Sequence, residues 1–199
     1  MTAAAGARPS AVRLIAGKWK GRTLDVPDRA RPTASRAREA LFSMLQDSVP
    51  GARFLDLYAG SGAVGLEAAS RGAARVVLVE EEGAALARTL RRLAPLSEEV
   101  VLLREPVPHA VVRLAGAGER FDLVFSDPPY SEPVDASFGG WLAALLAPGG
   151  VFILQRDARQ TPPELENLTQ VRRKDHGRNV LHLYALSATR CSPLRGAGL

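Results

Sequence analysis

The sequence predicts an α/β fold: a mostly parallel, seven-stranded sheet with helices on both faces and an antiparallel hairpin at the C-terminal end. Three observations predict it. From residue 53 onward, short and almost wholly apolar runs alternate with helical stretches, the pattern of parallel strands buried on both faces. A glycine-rich turn joins the first of these runs to the first helix. After Pro163 two longer runs flank the short turn His176–Gly177, which reads as an antiparallel hairpin.

Each element follows from its own residues. VRLIAG (12–17) and RTLDV (22–26) read as a small hairpin around the basic turn KWKG. RPTASRAREALFSMLQ (31–46) reads as a helix starting at Thr33 or Ser35, with Ala37, Leu41, Met44 and Leu45 as its apolar face. Arg36 and Arg38 fall near its start, where the helix dipole disfavours cations; this reads first as a solvated helix end and second as the mark of an external anion. FLDLY (54–58), RVVLVE (75–80), EVVLLR (99–104), FDLVFSD (121–127) and GVFILQ (150–155) are the five parallel strands. GAVGLEAASRG (62–72), EEGAALARTLRRLA (81–94), PVPHAVVRLAG (106–116) and the stretch 134–146 lie between them, with Trp141 read as core. Segments 167–175 and 178–186 form the terminal hairpin. The expected organisation is a disordered tail at 1–11, a basic hairpin and helix at 12–50, the main α/β domain at 51–190 and a tail at 191–199.

Composition narrows the function. With 46% apolar and 24% charged residues the chain reads as an ordinary soluble domain, and no apolar run approaches the ~18 residues that span a bilayer. One cysteine, Cys191, fits a reducing cytoplasm. The three histidines are dispersed without metal-ligand spacing, so no metal is expected. No coiled-coil pattern is visible, and a monomer is expected. The net charge of +5 is unevenly placed, with +7 in residues 1–38 and −2 in the remainder. A concentrated cationic segment is an electrostatic footprint for nucleic acid. Its candidate contacts are Arg13, Lys18, Trp19, Lys20, Arg22, Arg31, Arg36 and Arg38. Trp19 reads equally as a base-stacking ring or as hairpin packing. Arg172, Arg173, Lys174 and Arg178 read first as a solvated hairpin and second as a widening of the RNA face.

Two motifs carry chemistry. LDLYAGSGAVG (55–65) places Gly60, Gly62 and Gly65 in a GxGxxG pattern between a strand and a helix, with an acid, Glu80, at the end of the next strand. That context points to an adenosine-type ligand, with Glu80 accepting ribose hydroxyl protons. A nicotinamide dinucleotide would bring its pyrophosphate to the helix start. Asp56, four residues before the first glycine, would repel it and suits the ammonium and sulfonium charges of S-adenosylmethionine instead. The other reading of Asp56 is a buried acid capping the loop's own N–H groups. The second motif, Asp127-Pro128-Pro129-Tyr130, closes the fourth parallel strand, and its two prolines cannot continue a sheet ladder. A carboxylate and backbone carbonyls are held still there and pointed at a ligand.

These motifs together resemble the class I, Rossmann-like methyltransferases that modify exocyclic amines. RLIAGKWKGRTL (13–24), RPTASRAREALFSML (31–45), the glycine loop and DPPY, in that order, resemble the RsmD type. The resemblance implies guanine-N2 methylation of 16S ribosomal RNA, free or in the small subunit. It implies a cofactor site of Asp56, Tyr58, Ala59, Gly60, Ser61, Gly62, Gly65 and Glu80, with Glu105 as the third-motif acid, and Asp127, Pro128, Pro129 and Tyr130 as the catalytic set. One departure is Gln155, where the family pattern leads one to expect an acid. Adenine-N6 methylation of RNA or DNA, methylation of a glutamine side chain, a nicotinamide oxidoreductase and a non-catalytic RNA-binding protein are the competing readings.

Overall fold

The computed structural model describes residues 12–26, 35–93, 99–129, 132, 134 and 136–187. The expected tails, Arg31 and Tyr130 lie outside the described residues. A two-stranded sheet of β1 (Val12–Arg13) and β2 (Thr23–Leu24) comes first, then α1 (Ser35–Met44). The main unit follows: β3 (Arg53–Leu57), α2 (Ala63–Ser70), β4 (Arg75–Val79), α3 (Ala84–Leu93), β5 (Val100–Leu103) and α4 (Val107–Gly116). It continues with β6 (Phe121–Ser126), α5 (Ala136–Leu145), β7 (Leu146–Asp157), β8 (Leu168–His176) and β9 (Asn179–Leu186).

The seven strands stand in the order β5-β4-β3-β6-β7-β9-β8, with the first five parallel and β9 antiparallel to both its neighbours. Order reverses between β3 and β6, so the crevice at the carboxyl ends of those strands is the expected ligand position for such a sheet. One core lies on each face. Phe54, Phe125 and Ile153 pack under α1, α2 and α3, and Leu57, Val124 and Leu154 pack under α4 and α5.

Three expectations need correction. β7 begins at Leu146 and runs to Asp157, well past the expected 150–155, because β9 pairs with it as far as Asp157↔Asn179. On α1 the buried stripe is Ala37, Arg38, Leu41 and Phe42, while Met44 is only partly covered. Trp141 is exposed, not core: α5 buries Leu142 and Leu145, and Trp141 lies about 100° of helix rotation from Leu142 and about 40° from Leu145, on the solvent side of that stripe.

The N-terminal hairpin belongs to the same core as the sheet. Leu14, Trp19 and Leu24 are buried against residues of α1, α2 and α3. Its loop is fastened to α2: Glu67 accepts the N–H groups of Ile15 and Ala16 at 2.7 and 2.9 Å. Ser70 accepts Lys18 N–H at its carbonyl (2.8 Å) and Trp19 N–H at its hydroxyl (2.9 Å). Gly17 sits so close that a Cβ there would lie 1.8 Å from the Ser70 carbonyl oxygen, and its φ is +76°. Only glycine fits.

Candidate active site

The glycine loop is a tight coil at the carboxyl edge of the sheet. Tyr58, Gly60 and Gly62 all take left-handed φ values of 59°, 55° and 74°. For Tyr58 this is strained backbone of the kind held in place at functional sites. Ala59 N–H donates to the Val79 carbonyl at 3.0 Å, tying the loop to β4, and Ser61 is turned inward and buried. All eight residues of α2 are buried, so this helix is fixed on every side. At Gly65 a Cβ would meet the Leu78 side chain at 2.2 Å and Asp56 Cβ at 3.1 Å, which is why helix and sheet can approach so closely there.

Asp56, on β3, is the acid beneath this loop. Its Oδ2 accepts Gly65 N–H at 2.8 Å, and the residue is 1% exposed. Burial, opposed by that hydrogen bond and reinforced by the charges of Asp127 and Glu80, pushes its carboxyl up to about 7. The position therefore matches the capping alternative, while its electrostatic coupling to Asp127 and Glu80 keeps it within the site. Glu80 follows β4 and reaches the loop, its two oxygens accepting Gly60 N–H at 2.7 Å and Glu82 N–H at 3.0 Å. Three carboxylates around one glycine loop form a donor set suited to a cationic ligand and hostile to pyrophosphate. Burial raises the Tyr58 hydroxyl above its ordinary range, with a further contribution from its hydrogen bond to Glu132. Glu105, after β5, is ion-paired with Arg113.

Asp127 leaves β6 directly into Pro128 and Pro129 at the same edge. Its Oδ2 accepts an N–H from Gln155 Nε2 at 2.9 Å. Gln155 is buried on β7, and Ser126↔Leu154 pairing brings it beside the acid. Gln155 was legible in the sequence only as a missing acid. Here it donates to the Asp127 carboxylate, which a second carboxylate could do only while protonated. Glu67 and Ser70, which anchor the N-terminal hairpin, drew no attention in the sequence because the distance along the chain to Ile15 and Trp19 exceeds 50 residues.

Among the described residues, the basic N-terminal side chains do not gather at this site as a group. Trp19 is 1% exposed and packed in the core, so it cannot stack on an RNA base. Arg38 is 2% exposed, donating to the Arg13 carbonyl at 2.7 Å on the buried stripe of α1, so it is not a surface contact. Lys18 is ion-paired with Glu99. Lys20 and Arg22 are exposed, but their turn is fastened to Ser70 at the far end of α2 and to Glu99 just before β5. That is the amino edge of the sheet, roughly one five-residue strand, or ~17 Å, from the glycine loop. Arg13 and Arg36 are exposed. Arg36 lies toward the carboxyl edge: α1 runs alongside α2 in the same direction, with Arg38 near Glu67 and Phe42 under Arg71.

Comparison with known proteins agrees with this architecture. The family described as conserved hypothetical protein 95 matches residues 12–185. Ribosomal RNA small subunit methyltransferase D of Escherichia coli K12 is 40% identical over 140 residues, covering 66% of this chain and 70% of that protein. The structure of Escherichia coli yhhF superimposes with a TM-score of 0.75 at 32% identity, covering 89% of this chain and 98% of that one. A hypothetical protein of Thermus thermophilus, TTHA0928, gives 0.73 at 38% identity over 86% and 98% of the two chains.

Proposed function

Because this chain belongs to the conserved hypothetical protein 95 family of RsmD-type methyltransferases, we propose that it methylates the exocyclic N2 amine of a guanine in 16S ribosomal RNA. The observation that carries the reading is Asp127, held by Gln155 and followed by two prolines, beside an acid-lined glycine loop. When bound, S-adenosylmethionine supplies an electrophilic methyl group on a sulfonium. Asp56, the loop 58–62, Gly65 and Glu80 would hold it, with the carboxyl groups of Asp56, Glu80 and nearby Asp127 matching its positive charge.

The amine of guanine is a weak nucleophile because its lone pair is delocalised into the ring. Asp127 accepts one of its N–H groups and the Pro128 carbonyl the other, favouring the tetrahedral geometry that frees the lone pair. A methyl group supplied by the bound cofactor would bond to that nitrogen, its former bonding electrons staying with the sulfur. Positive charge appears on nitrogen next to the Asp127 carboxylate, which stabilises it without reorganising. The new ammonium is acidic and sheds its proton to water, so no strong base is required. Tyr130 is the residue for stacking on the extruded base.

The experiment is to incubate the protein with methyl-labelled S-adenosylmethionine and unmodified 16S RNA or small subunits, then identify the labelled nucleoside. N2-methylguanosine is expected. N6-methyladenosine would retain the chemistry of the site and overturn the base assignment.

A further inference from the structure

We propose that the tip of the β8–β9 hairpin is the surface that grips the RNA backbone beside the target base, through Arg172, Lys174 and Arg178. The inference rests on the methylation reading for its choice of partner and on topology for its location. The parallel strands deliver Asp127 to the carboxyl edge. β6 ends level with Leu154, but β7 runs on to Asp157, three residues or ~10 Å further. There Asp157 pairs with Asn179 and Asn179 with His176, so the hairpin turn stands at and beyond the edge that carries Asp127.

A bulge decides which cations face the site. From Leu168↔Leu186 to Gln170↔Tyr184 the hairpin is regular, and continued alternation would pair Val171 with Leu183. Instead Val171 is skipped and Arg172 pairs with Leu183, Arg173 with His182 and Lys174 with Leu181. One extra residue exchanges the two faces of every position after it. Leu181 and Leu183 belong to the core on the Phe54 and Phe125 side, and Gln155 is in register with Leu181. Lys174, Leu181, Gln155 and Asp127 therefore form one row across the sheet, placing Lys174 about three strand spacings, ~14 Å, from Asp127.

Charge follows the same division. On the opposite face Arg173 is paired with Asp175 at 2.7 Å, and that carboxyl is held below its ordinary range by the pairing. Among the described residues no ion pair neutralises Arg172, Lys174 or Arg178, and all three are exposed. The acids of the catalytic edge, Asp56, Glu80 and Asp127, repel phosphate, so a cationic arm at a distance of a few nucleotides supplies the attraction that the site itself lacks. The alternative is that these charges only guard an edge strand against pairing with another chain. That role predicts no contribution to RNA affinity.

The test compares the full-length protein with Arg172→Gln/Lys174→Gln/Arg178→Gln and with Lys20→Gln/Arg22→Gln on the remote turn. Binding to unmodified 16S RNA is measured over a range of salt, with melting temperature as the check on folding. The hairpin variant is expected to lose roughly tenfold or more in affinity and to flatten the log–log salt slope by about 2, at ~0.7–0.9 per phosphate contact. The turn variant stays within about twofold, as expected for charges that touch no phosphate. Equal binding by wild type and hairpin variant, equal loss in the two variants, or no RNA binding by the wild type overturns the proposal. Binding that behaves as expected without labelled guanosine overturns only the methylation reading. Methylation that survives the hairpin substitutions at unchanged affinity overturns only the hairpin.

Discussion

Asp127 and Gln155 act as a pair, and their substitution should separate chemistry from binding. Removing the carboxylate with Asp127→Ala is expected to lower kcat by roughly 10²–10³, the usual cost of deleting a preorganised group where charge develops. Gln155→Leu keeps the volume but removes the amide N–H that the Asp127 carboxylate accepts. It should lower kcat by roughly tenfold, the worth of one hydrogen bond to a charged group. RNA KM should be unchanged, and in an Asp127→Asn background the same change should cost little, since the two residues share one function. Additive losses in that cycle would make Gln155 merely structural. Asp56 supplies a pH dependence. Its folded-state carboxyl is raised to about 7, so the stability it contributes is complete below about 4 and is lost as pH rises through 7. Relative to Asp56→Asn, which keeps an acceptor for Gly65, the wild type should lose roughly 2–3 kcal/mol between about pH 5 and 8. Thermal unfolding of both proteins across that range checks it. None of these couplings is local: Asp127 and Gln155 are 28 residues apart, and only pairing of β6 with β7 brings them together.

At the level of elements, the β1–β2 hairpin and α2 make one unit. α2 carries the glycine loop at its start and holds the hairpin turn at its end, so a change at the turn acts on the helix that supports the glycine loop. Gly17→Ala combines a left-handed residue with a clash against the Ser70 carbonyl and is expected to cost roughly 2–5 kcal/mol. For a chain of this size that is a fall of roughly 5–15 °C in melting temperature. Elements of this kind were legible from their residues. Glycine and proline punctuation and apolar runs located every parallel strand, and the His176–Gly177 turn located the hairpin. The exposure of Trp141 and the burial of Trp19 were not, because each depends on how its element packs against distant segments.

For the molecule as a whole, the N-terminal segment reads in sequence as a basic hairpin and helix facing nucleic acid, and its packing makes it part of the fold. Removing residues 1–26 strips Leu14, Trp19 and Leu24 from the core and leaves the buried Glu67 without two of its donors. Each large side chain lost costs roughly 2–5 kcal/mol, and a domain holds only about 5–15 kcal/mol in total. The truncated chain should therefore lose cooperative unfolding and S-adenosylhomocysteine binding together, as circular dichroism melting and calorimetry would report. Loss of RNA binding alone would return the segment to a role facing nucleic acid. The sequence by itself determined the architecture and the places of the glycine loop and of Asp127-Pro128-Pro129 at the strand ends, since strand period, turn residues and motif spacing are local properties of the chain. Only the tertiary structure decided which edge of the sheet each basic cluster occupies, which face Arg172 and Lys174 take, and what holds Asp127. Those depend on strand register, one bulge and the direction of α2, all set by non-local packing.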